Sequence, residues 1–146
     1  MSTTMPWWVR VRLVPSKGEP GGPILRSASD VATAFSKELA TLDREHFVCL
    51  HLDIKNRLRS QELIAVGHLS AALVHPREVF KGALLANAAS IVLVHNHPSG
   101  DPEPSRDDHR LTDRLVAAGD LLGIPVLDHV ILAEDGHASL LEEEEG

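Results

Sequence analysis

The sequence is short of several residue types that stabilise or specialise small proteins. Its one cysteine, Cys49, excludes an internal disulfide and any zinc site built from several thiolates. Aromatic residues make up 3% of the chain and tyrosine is absent. A core must therefore be assembled from Leu, Val, Ile and Ala. No apolar run approaches the roughly 20 residues that cross a bilayer as a helix. The opening MSTTMPWWVR lacks the basic-then-apolar order of a secretory leader. A cytoplasmic protein without membrane association is expected. Positive charge is also scarce: the formal net charge is -7, and the run Glu142 to Glu145 carries much of it. Such a surface repels phosphate backbones, so direct nucleic-acid binding is disfavoured. A local basic patch, for example around Lys55, Arg57 and Arg59, could oppose this.

What remains suffices for one domain: 146 residues, 43% of them hydrophobic. Residues 1–23 read as an arm, with an alternating strand over 7–14 (WWVRVRLV) and a Pro/Gly loop over 15–23. The compact domain is expected over 24–141, and 142–146 form an acidic tail. Ser29 or Asp30 can cap a first helix running to about Leu42, with Val31, Phe35, Leu39 and Leu42 on one face. Residues 46–53 alternate as a strand, Asn56 sits in a turn, and 60–69 read as a second strand. Pro76 is placed to begin a helix that continues to Ala89. Ile91 to Val94 reads as a strand covered on both faces. After a Pro-rich loop, a helix is expected over 106–122, then strands over 126–133 and 137–141. Alternating helices and strands predict an α/β class, a mixed sheet flanked by helices.

The chemistry concentrates in 94–108, VHNHPSGDPEPSRDD, at the end of a buried strand and the start of a helix. That is where α/β folds commonly build sites. Residues i and i+2 of a strand point to the same side, so His95 and His97 can converge on one ion. Asn96, between them, points away and is expected to hold structure. Ser105 suits the helix N-cap, which puts Asp108 at the third helical position in a capping-box pattern. Asp107 shares a face with Arg110 and Arg114 and reads as solvated. Asp108 shares a face with Leu111, Thr112, Leu115 and Leu122 and reads as buried. A buried carboxylate beside two histidines needs a cation. Two His and one carboxylate leave a fourth tetrahedral position open, as in catalytic zinc sites. A general base could be Glu45, Asp53, Glu62 or Glu78, and the residues alone do not choose. Cys49 reads as a buried core thiol. His129 reads as core in preference to a support for a ligand, and His46, His51, His68, His75, His109 and His137 as structural or surface residues.

The string His95-Asn96-His97-Pro98, six residues, then Ser105-Arg106-Asp107-Asp108 resembles the JAMM motif of the JAB/MPN metalloprotease superfamily. HNHPSGDPEPS and the flanks HPREVFKGALLANAASIVLVHNHPSG and RLVAAGDLLGIPVLDHVIL are similar to its RadC branch, historically labelled as DNA-repair proteins. The likeness covers roughly 28–141. It implies an α-β-α fold related to the cytidine deaminases, and one Zn2+ per chain held by His95, His97 and Asp108. It also implies Glu45, in Glu45-His46-Phe47, as the residue that takes a proton from water, and Ser105 as the oxyanion-stabilising hydroxyl. A zinc metalloprotease acting on a peptide or protein is the expectation. The alternative is a non-catalytic or DNA-repair-associated binding module. Longer RadC proteins carry a helix-hairpin-helix region for which 146 residues leave no room. His137 stands where the family often has an aromatic.

Overall fold

The computed structural model describes residues 4–70 and 72–142. Three helices and five strands follow one another as α1 (Ala28–Leu39), β1 (His46–Leu52), β2 (Leu58–Val66), α2 (Pro76–Leu85), β3 (Ser90–Asn96), α3 (Arg106–Leu122), β4 (Val126–Ala133) and β5 (Gly136–Ser139). The strands form one mixed sheet in the order β2-β1-β3-β4-β5. Only β3 and β4 pair in parallel, with α3 as their crossover; the other neighbours are antiparallel. This is the α/β architecture expected from the sequence.

Alternation along the central strands sorts side chains into two cores. Val48, Leu50 and Leu52 of β1, Val92 and Val94 of β3, and Val130 and Leu132 of β4 pack with Val31, Phe35 and Leu39 of α1. Phe47 and Cys49, Ile91 and Leu93 pack on the other face with Val79, Phe80 and Ala83 of α2 and Leu111 and Leu115 of α3. The sheet therefore lies between α1 on one side and α2 with α3 on the other. His95, two residues beyond Leu93, belongs to the α3 face, and Asn96 to the α1 face.

Some boundaries differ from the sequence expectation. Ser27, not Ser29 or Asp30, caps α1: its backbone is extended and its side chain accepts from Asp30 N–H. The helix stops at Leu39 rather than Leu42. Helix α2 ends at Leu85 rather than Ala89, and Asn87 just beyond it adopts φ 51°, the left-handed conformation that ends helices. Residues 7–14 form no strand and lie exposed. Their alternation has the right period, but a strand needs a partner ladder, and 7–14 pair with none. The arm meets the sheet edge where Gly22 N–H donates to Leu58 C=O, next to the bridge between Ile24 and Arg57. Residues 143–146 of the acidic tail lie outside the described residues.

Candidate metal centre

The carboxyl end of β3 delivers two imidazoles, and the first turn of α3 faces them. His95 is buried and His97 half-buried. Gly100, at φ 91°, turns the intervening loop in a conformation that favours glycine. Ser105 then caps α3 with a complete capping box: its hydroxyl accepts from Asp108 N–H at 3.0 Å, and its own N–H donates to Asp108 Oδ2 at 2.8 Å. Asp108 is buried and Asp107 exposed, as the helix faces predict. Leu122 departs from that face pattern and is 44% exposed, because it ends the helix where Gly123 turns away.

Asp108 Oδ2 lies 3.1 Å from His97 Nε2, and Oδ1 lies 3.3 Å from His95 Nε2. The second contact has ion-pair distance but not hydrogen-bond geometry, so His95 Nε2 is buried with no hydrogen-bond partner. Burial pushes the Asp108 carboxyl upward, yet contacts from His95, His97 and the Ser105 N–H outweigh it and hold the group well below the usual range. The hydrogen bond that His97 Nε2–H donates to Asp108 raises the His97 pKa, against an opposing effect of burial.

Glu45 arrives from the far side, one residue before β1. Its Oε2 accepts from Leu69 N–H at 2.8 Å, and its carbonyl accepts from Gly67 N–H at 2.9 Å. One ligand atom each from Glu45, His95 and His97 lie within 4.8 Å of one another. Asp53, Glu62 and Glu78 are elsewhere. Asp53 accepts from Lys55 and Arg57 N–H in the β1–β2 turn, Glu62 lies opposite Cys49 on β2, and Glu78 pairs with Lys81 on α2. Asn96 clamps the approach to Glu45 from the opposite face. Its Oδ1 accepts from His46 N–H at 2.6 Å and its Nδ2 donates to Arg44 C=O at 2.8 Å.

His129 is core, as favoured from the sequence, but it also supports His95, the alternative that the sequence ranks second. It is fully buried, and its Nε2 lies 2.6 Å from His95 Nδ1 and its Nδ1 2.6 Å from Thr112 Oγ1. Burial first, and the neighbouring His95, push its pKa well below the usual histidine value. The available signal was Thr112, polar yet on the Asp108 face one turn on. Histidine 109 is exposed on α3.

A divalent cation fits this donor set. His95 offers a buried, unpartnered nitrogen, His97 a second nitrogen, and two carboxylates lie within reach. Of the two, Asp108 is the better ligand candidate, because each of its oxygens faces one imidazole and the capping box pins it. A cavity of about 350 Å³, lined by Asp43, Arg44, Glu45, Gly67, His68 and Pro98, opens beside Glu45.

Residues 25–146 match a family described as RadC-like JAB domain. A UPF0758 protein of Methanococcoides burtonii is 50% identical over 119 residues, covering 82% of this chain and 52% of that protein. A UPF0758 protein of Rubrobacter xylanophilus is 53% identical over 123 residues, covering 84% and 54%. One from Desulforamulus reducens is 50% identical over 117 residues, covering 80% and 52%. The chain spans about half the length of the curated relatives it matches. Their shared name states no activity.

Proposed function

The chain belongs to the RadC-like JAB domain family, and on that premise we propose that it is a zinc-dependent hydrolase of JAMM type, cleaving an amide or isopeptide bond in a peptide or protein. The observation that carries the proposal is the convergence of His95 Nε2, His97 Nε2 and the Asp108 carboxylate beside Glu45, whose Oε2 alone is engaged by Leu69 N–H. His95, His97 and Asp108 would hold one zinc. When bound there, zinc supplies a water whose pKa is lowered to roughly 7.

The chain's own groups do the rest. Glu45 Oε2 is held by Leu69 N–H, so Oε1 is the atom that takes the attacking water's proton and passes it to the leaving nitrogen. Ser105 Oγ uses a lone pair on Asp108 N–H, which leaves its hydroxyl proton for the oxyanion of the substrate carbonyl. The cavity beside Glu45 would give a substrate chain a route to the Glu45 carboxylate.

Elemental analysis of the purified chain tests the metal, with about one zinc per chain expected and far less in His97→Ala. Equal content in both would sink the assignment. Glu45→Gln is expected to keep the metal and lose hydrolysis of peptide and isopeptide substrates. Full activity in that variant would mean another base. Zinc bound without hydrolysis of any substrate would favour the binding-module reading.

A further inference from the structure

We infer that Thr112 and His129 form a buried relay that places the ring proton of His95 on Nδ1 and so presents Nε2 as a bare lone pair to a cation. The inference rests on the metal reading above and assigns both residues a positioning role. The hydrogen-bond chain has one self-consistent direction. Thr112 Oγ1 lies 2.7 Å from the carbonyl oxygen of Asp108, which can only accept. The hydroxyl proton therefore lies on that contact; reversing it would set two oxygen lone pairs together with no proton between them. Oγ1 must then accept from His129 Nδ1, 2.6 Å away. His129 carries its proton on Nδ1, and its Nε2 offers a lone pair to His95 Nδ1 at 2.6 Å. His95 must donate through Nδ1–H, which leaves Nε2 unprotonated in the neutral ring.

Burial excludes a substitute for any link, since Thr112 is 2% and His129 0% exposed. His97 reaches the same tautomer by a different route: its Nδ1 lies 3.0 Å from the Asp101 carbonyl, another acceptor only. In their neutral rings both Nε2 atoms would thus offer a lone pair to a cation beside Asp108; without one, His97 Nε2 donates to Asp108 Oδ2 instead. The relay also begins on the backbone of Asp108, so one candidate ligand orients another through Thr112 and His129.

Two-bond ¹H–¹⁵N correlation of the imidazole rings in the ¹⁵N-labelled full chain tests this directly, with and without added zinc sulfate. His129 is expected as the Nδ1–H tautomer in both samples. An Nε2–H tautomer at His129 overturns the inference, whatever the chain's metal content or activity. Zinc affinity, measured by competition with a chromophoric chelator, supplies the second arm. Thr112→Val is expected to bind zinc about 10–100-fold more weakly, and Thr112→Ser to stay within about threefold of the unsubstituted chain. Equal affinity in Thr112→Val, or an equal loss in Thr112→Ser, overturns the relay. No zinc uptake by the unsubstituted chain would instead overturn the metal reading and leave the tautomer result to stand by itself.

Discussion

Cys49 has no exposed surface, and burial, with Glu62 adding like charge, pushes its thiol up to about 12. In the unfolded chain the thiol ionises near the reference value of 9.0. Native stability should therefore fall as pH rises above that value, by up to about 1.4 kcal/mol per pH unit. Iodoacetamide at about pH 8 should label Cys49 only in denaturant; rapid native labelling would show an open site. His97 gives the second titration. Its raised pKa means that, without metal, its bond to Asp108 contributes stability that is fully present below about pH 6.5 and lost as pH rises through the raised value. Asp108, held low, keeps its contribution above about pH 3.9 and loses it as pH falls through its depressed value. A metal needs the neutral His97 ring, so zinc affinity should rise as pH increases through the same range in which the metal-free pair weakens. Calorimetry at two pH values should find proton release on zinc binding. An affinity independent of pH would exclude His97 as a ligand.

At the scale of elements, the site depends on how α3 and the segment before β1 are seated. Gly119 lets α3 lie close to its own return loop: a Cβ there would meet Ile124 O at 2.5 Å and Phe80 at 3.2 Å. Backbone cannot yield as a side-chain tip can. Gly119→Ala should cost about 1–3 kcal/mol, read as a lower denaturation midpoint, and an unchanged midpoint would mean that the helix slides freely. Asn96 does the corresponding work for Glu45. Asn96→Ala orphans His46 N–H and Arg44 C=O, at about 1–3 kcal/mol, and should lower hydrolysis more than zinc content. The capping box of α3 and the proline opening of α2 were legible in the sequence because caps are local. The ends of α1 and α2 were not, because Leu42 and Ala88 still pack against the cores beyond the last turns, so the apolar period runs on past the point where the helix stops.

Among the described residues the sheet is covered on both faces, and residues 7–14 of the arm lie exposed. Both tryptophans lie in that arm, Trp7 91% and Trp8 98% exposed. Their emission should be that of solvated indole in the native chain and should barely shift on unfolding. A blue-shifted native spectrum would show the arm docked. The apolar alternation of 7–14 illustrates the limit of pattern reading: it marks what a segment could pair as, not whether an edge is there to receive it. No helix among the described residues is long and apolar enough to cross a membrane.

The sequence by itself determined what short range controls. It set the β3 spacing that aligns His95 with His97, the helix face that separates Asp108 from Asp107, the caps, and the alternation that sorts the two cores. Those features follow from strand period, helix period and side chain-to-backbone bonds within a few residues. Only the tertiary structure decided which of the four candidate bases stands beside the histidines and what orients them. Asn96 reaches His46 across 50 residues, and His95 reaches His129 across 34. Pairings at such separations depend on strand order and register in the sheet, which no local period encodes.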